Sequence, residues 1–272
     1  MYLLVFVGLQ LAVGAAANAV CGFAGLGGRL APTVLIVSMA SVSVVTGAVF
    51  IAARWSEVSR SYLRSRPWGV LTWSVLAALG MIIPSMWLQD QMPELPNVLE
   101  AQFAMILKDR NGYFVIGLLV PLVEELVFRG AILRSLLQAI GRPWVAIGVS
   151  ALAFSLVHGN PAQMPHAFIV GLLLGWMYFR TGSIIPGVAF HWVNNTVAYV
   201  LYNILPDPDV PLYVLLGGNG RAVALSLLFS MCILLPSVYQ LNMRMRRSPS
   251  QPPQGEVSPL LTSPKGRKPC GG

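Results

Sequence analysis

The chain of 272 residues is 56% hydrophobic and only 10% charged, against roughly 25% charged in a soluble domain. Too few polar groups remain to cover a water-facing surface, so lipid must be its main solvent. The formal charge of +8 does not point to nucleic acid, because the cations sit in loops and at the tail and no basic face is interleaved with aromatics.

The N-terminal stretch Met1 to Val20 is apolar and lacks the positive flank of a signal peptide, so it is expected to be a first membrane span. A span needs about 20 apolar residues. On that scale spans are expected near 2–24, 31–53, 68–88, 113–137, 143–159, 163–179, 184–205 and 221–241. The fold class is therefore all-α, a polytopic membrane helix bundle of about eight transmembrane helices. Between the third and fourth spans, Val98 to Leu107 reads as an interfacial amphipathic helix with Leu99, Phe103, Ile106 and Leu107 on one side. Pro161 and Pro165 interrupt the pattern between the fifth and sixth spans, and Arg180-Thr181-Gly182 forms a tight polar turn after the sixth. Beyond Arg244 the chain is rich in Pro, Ser, Gly and Lys/Arg and is expected to be disordered. Three regions follow: an N-terminal three-span region with its loop (1–112), a core of membrane helices (113–243) and a basic tail (244–272). The cysteines Cys21, Cys232 and Cys270 show no ligand spacing and argue for neither a disulfide framework nor a structural zinc site.

With eight spans both termini share one side. That side holds 13 of the cations, the opposite side holds Arg29, Lys108, Arg110 and Arg221, and Arg129 lies within a span. The bias places both termini in the cytoplasm.

Chemistry concentrates in the later spans. In Val120-Pro-Leu-Val-Glu-Glu-Leu-Val-Phe-Arg-Gly130 two carboxylates and a guanidinium interrupt a hydrophobic helix, each at a cost of at least about 2.5–3.5 kcal/mol. Glu125 and Arg129 are four apart and share a face. Glu124 is turned about 100° from Glu125, so one carboxylate can be held by Arg129 while the other faces a cavity. A structural ion pair joining helices is the plainer reading, but it does not need two carboxylates. The fifth segment ends Phe154-Ser-Leu-Val-His158, and the seventh contains His191-Trp-Val-Asn-Asn195, with His191 and Asn195 again on one face. His166, among prolines near a segment start, reads as interfacial or structural. Glutamate and histidine can hold and deprotonate a water, and histidine with asparagine can donate to an oxyanion. The set suits amide hydrolysis. No H-E-x-x-H, no G-x-S-x-G and no aspartate within a span is present, which removes the zincin, serine-elbow and aspartyl-dyad chemistries.

These motifs, E-E-x-x-x-R at Glu124 to Arg129, F-x-x-x-H at Phe154 to His158 and H-x-x-x-N at His191 to Asn195, together resemble the CAAX protease and bacteriocin-processing family, also called Abi, over roughly 110–205. The resemblance implies a helical bundle around a membrane-embedded cavity and an endopeptidase whose best-understood relatives cleave prenylated C-terminal tails. It further implies that Glu124 and His158 activate water, that Glu125 and Arg129 support them, with Phe154 beside them, and that His191 and Asn195 form the oxyanion hole. It leaves the cofactor open between zinc or another divalent metal and a metal-free acid–base set. The partners expected are the lipid bilayer and a peptide or protein substrate carrying a lipid in those relatives. Two rival classes are a non-catalytic membrane scaffold or immunity factor that keeps the fold, and a proton-coupled transporter, against which the lack of an inverted repeat weighs.

Overall fold

Proline and glycine punctuation divides the chain into helices. The structure is a computed structural model and describes residues 1–25, 31–56, 60–205 and 210–246. Among the described residues every regular element is a helix. Four of these are each long and apolar enough to cross a membrane: α1 (Tyr2–Phe23), α2 (Ala31–Ala52), α3 (Trp68–Asp90) and, at the end of the described chain, α9 (Gly220–Arg244). They make the protein an integral membrane protein.

The other four expected spans coincide with helical chain that is interrupted, shorter or more polar. After α4 (Glu100–Lys108) comes α5, a continuous run from residue 110 to 140 in which α-turns alternate with two π segments, Phe114–Leu119 and Leu126–Leu133. Gly141, at φ 65°, ends it. Then follow α6 (Pro143–Leu156), α7 (Met164–Thr181) and α8 (Ile185–Ile204), each with a proline in its first turn, where the missing N–H is no loss. The count of eight therefore rests on the hydropathy pattern, while four helices carry it by length and composition. The expected disordered tail lies outside the described residues from 247 onward, as do Cys270, Arg29, Asp207 and Asp209.

Packing follows small residues, as it must where lipid is as apolar as leucine. α3 runs along α9, and a Cβ on Gly80 would come within 2.7 Å of the Leu234 main-chain nitrogen. α6 lies against α7 through Ala151 and Gly171 and through Ile147 and Gly175. One apolar cluster joins α3, α7, α8 and α9 around Leu174, Met177 and Phe190. Another joins α1, α2 and α5 to α6 through Phe6, Phe50, Phe128 and Phe154, the rings of Phe6 and Phe154 each meeting that of Phe128 edge to face. Between these clusters lies a cavity of about 520 Å³.

The expected interfacial helix is present as α4, and its apolar side faces protein. Ile106 is buried against α2 with Ile36, while Leu99, Phe103 and Leu107 line the cavity. An apolar stripe facing protein has the same period as one facing lipid, so the pattern could not separate them.

Candidate active site

The cavity wall draws on helices α1 to α8 and on the turn after α6. Pro121 and the flanking π segments set the register of α5, and π turns of this kind are frequent at functional sites. The second π segment is buried at all eight of its residues, Leu126 to Leu133. It carries Arg129 into the interior, 1% exposed, beside Glu125, which is fully buried. Arg129 Nη1 donates to Glu125 Oε1 at 2.9 Å, and Nη2 donates to the Gly171 carbonyl at 3.2 Å. The guanidinium also lies 4.4 Å above the Phe154 ring, an additional attraction for a desolvated cation.

Glu124 points the other way and lines the cavity, as one residue of helical rotation requires. His191, on α8, stands between the two carboxylates. Its Nδ1 is 3.3 Å from Glu125 Oε1 and its Nε2 is 3.6 Å from Glu124 Oε2. With Nδ1–H donating to Glu125, Nε2 faces Glu124, and a single proton can be held between those two groups. His158 is placed differently. Its Nδ1 lies 2.7 Å from the Phe154 carbonyl, which can only accept, so Nδ1 carries the hydrogen and Nε2 is left with a lone pair. Phe154 stacks edge-on against both rings, with centroids 4.8 Å from His158 and 5.8 Å from His191.

Glu124, Phe154, His158, His191 and Asn195 thus line one cavity, and Glu125 and Arg129 stand behind it. Glu124 meets His191 directly; no hydrogen bond or ion pair joins it to His158. Asn195 Nδ2 is engaged by the Ile116 carbonyl at 3.1 Å. His166, read from sequence as interfacial or structural, faces the same cavity and lies 3.4 Å from Asn194 Nδ2.

Two residues escaped sequence reasoning. Asn194 is buried and lines the cavity. Asn160 is fully buried just past His158; its Nδ2 donates to Asn97 Oδ1 at 2.8 Å and its Oδ1 accepts from Val98 N–H at 3.1 Å. It therefore ties the loop before α4 to the turn that carries His158. Asn160 sits two residues beyond the F-x-x-x-H motif, and nothing in its local pattern marks that role.

Glu125 Oε1 is taken by Arg129 and His191, and Glu125 Oε2, without a hydrogen-bond partner, is turned toward Gly187, where a Cβ would come within 2.7 Å of it. Among the described residues no three His, Cys, Asp or Glu side chains converge as metal ligands. The residues as arranged do not fit a metal, and the chemistry below is derived without one.

Residues 111–197 match the family model described as type II CAAX prenyl endopeptidase, Rce1-like. Neither the curated proteins nor the solved structures compared with the chain include a match.

Proposed function

We propose that this chain, whose residues 111–197 match the model of the Rce1-like type II CAAX prenyl endopeptidases, is a membrane-embedded protease that hydrolyses a peptide bond near the C-terminus of a prenylated substrate. The observation that carries the reading is the division of labour between adjacent carboxylates: Glu124 on the cavity wall against His191, Glu125 sealed behind it on Arg129.

In this mechanism Glu124 takes a proton from a water in the cavity as the water oxygen attacks the scissile carbonyl carbon. His158, with its Nε2 lone pair free, orients that water. His191, held by Glu125, lies where it can pass a proton to the departing amine nitrogen as the C–N bond breaks. Arg129 holds Glu125 in place, so that His191 has a defined orientation. The amides of α8 receive the oxyanion. Phe6, Met39, Val42, Phe103 and Leu107 give the cavity apolar walls suited to an isoprenoid chain.

Incubating the purified chain in lipid with a prenylated peptide, and with the same peptide lacking the lipid, tests the substrate. Mass spectrometry should find a shortened lipidated product and little cleavage of the bare peptide. Equal cleavage of both would remove the prenyl group from recognition. The same reading places both termini in the cytoplasm: a reporter fused after Ser248 should be cytoplasmic and one inserted near Glu94 should lie across the membrane. Reporters on one side would contradict it.

A further inference from the structure

Helix α4 carries none of the polar side chains of the site and lies before the stretch 111–197 that matches the endopeptidase model. It nevertheless bonds to both elements that bring a proposed catalytic histidine to the cavity, one at each of its ends.

The first tie is at the start of α4. His158 lies past Leu156, the last residue of α6, so helical register does not fix it. The chain leaves the helix there. His158 N–H donates to the Ser155 carbonyl at 3.3 Å, Gly159 N–H donates to the Leu156 carbonyl at 3.2 Å, and Gly159 takes a φ of 62°, which a residue without a Cβ adopts freely. The next residue, Asn160, is fully buried. Its carbonyl accepts from Gln163 N–H at 2.9 Å, at the entry to α7. Its side chain reaches across to the loop before α4, where Nδ2 donates to Asn97 Oδ1 at 2.8 Å and Oδ1 accepts from Val98 N–H at 3.1 Å. Ala162 N–H adds a longer bond, 3.4 Å, to the Pro96 carbonyl. Val98 is followed by Leu99, the N-cap of α4. The turn that holds His158 and the entry to α4 are therefore one hydrogen-bonded unit.

The second tie is at the other end. A helix leaves its last four carbonyls without an intrahelical partner. In α4 one of these belongs to Leu107, and it accepts from Asn203 Nδ2 at 3.0 Å. Asn203 is on α8, the helix of His191. Tyr199, also on α8, donates its hydroxyl to the Asp109 carbonyl at 3.4 Å. Between the two ties Leu99, Phe103 and Leu107 face the cavity. A helix of 9 residues is a rod of roughly 13 Å, so the distance between the ties is set by α4 itself.

We propose that α4 is a strap that holds the His158 turn and the His191 helix at a fixed spacing, with Asn160 and Asn203 as positioning residues at its ends and its apolar face as the part that meets the lipid of the substrate. The proposal rests on the hydrolytic reading above and assigns two functions to one short helix: its ends act on turnover and its face on binding. Asn160 offers a donor and an acceptor at once, as this junction requires. Its partners Asn97 and Val98 are exposed, so water can replace what they lose when the tie is cut. Cutting it should disturb geometry more than stability.

The test uses the full chain in lipid. On each variant kcat and KM for a cleavable prenylated peptide are measured, together with melting temperature and hydrogen exchange at the amides of Gln163 and Met164. Asn160→Ala should lower kcat by about 10², as a small misplacement of a reacting group does, with KM and melting temperature near wild type. Asn97→Ala cuts the same bond from its exposed side and leaves the buried asparagine in place. It should lower kcat in the same direction and quicken the exchange of both amides. In Asn160→Asp the carboxylate still accepts from Val98 N–H and, with the Asn97 amide turned, from Asn97 Nδ2, so kcat should recover. Asn203→Ala should also lower kcat, whereas Phe103→Ala should raise KM for the lipidated peptide more than it lowers kcat. Wild-type kcat in both Asn160→Ala and Asn97→Ala, an aspartate no better than alanine, or unchanged exchange in Asn97→Ala would overturn the proposal. Glu124→Gln keeps the two levels apart. If it cleaves at the wild-type rate the hydrolytic reading fails, and hydrogen exchange still decides the strap; if it is inactive while the tie variants turn over normally, the strap alone is lost.

Discussion

Helix α9 and the second π segment of α5 are both apolar stretches inside the same bilayer, and they are solvated in opposite ways. Of the 25 residues of α9 three are buried, Ser230, Ser237 and Leu241, while Leu225, Leu228, Phe229 and Leu235 face outward. All eight residues from Leu126 to Leu133 are buried. Lipid is an adequate solvent for α9, so that helix needs only enough contact with α3 to be placed. Arg129 cannot be left to lipid, and the protein has to act as its solvent, with a carboxylate, a carbonyl and an aromatic face. Precise packing is concentrated where charge is buried.

That contrast can be broken by substitution. The largest effect is expected for Arg129→Met, which keeps bulk but leaves Glu125 buried without its partner. Removing one member of a buried ion pair costs about 3–5 kcal/mol, and the variant should show a large drop in melting temperature in detergent. A variant of wild-type stability would mean that Glu125 is neutral or solvated. A middle effect is expected at the one tight place on α9. Gly80→Val pushes a side chain into the Leu234 main chain and should cost about 1–3 kcal/mol in the same assay; no change would mean that α3 and α9 are not in contact in the membrane. The smallest effect is expected for Leu228→Ala on the outer face of α9, within about 0.5 kcal/mol. A loss as large as that of Gly80→Val would show that this face is covered by another protein surface rather than by lipid.

The same contrast explains what could be read from the sequence. Long apolar helices announce themselves by composition, so α1, α2, α3 and α9 fall within a few residues of the expected spans. Pairing of Glu125 with Arg129, with Glu124 turned toward a cavity, follows from helical rotation alone and is what the structure contains. Features that depend on a second segment were not legible. The π segments alter the register without changing the composition. Nothing near Asn195 reveals that its partner will be the Ile116 carbonyl, on another helix. Asn160 reads as one more polar residue in a turn until Asn97, 63 positions earlier, is brought against it. The inward face of α4 has the same pattern as a lipid-facing one, because both solvents select the same residues.

The account stands most directly on Glu124. Glu124→Gln preserves size and keeps a polar side chain beside His191, but it cannot take a proton from water. The measurement is the rate at which the purified variant, reconstituted in lipid, cleaves a prenylated peptide that the wild-type chain cleaves, with the melting temperature recorded on the same sample. The account predicts a rate lower by about 10² or more at a melting temperature close to wild type, and a Gln variant that cleaves at the wild-type rate would contradict it.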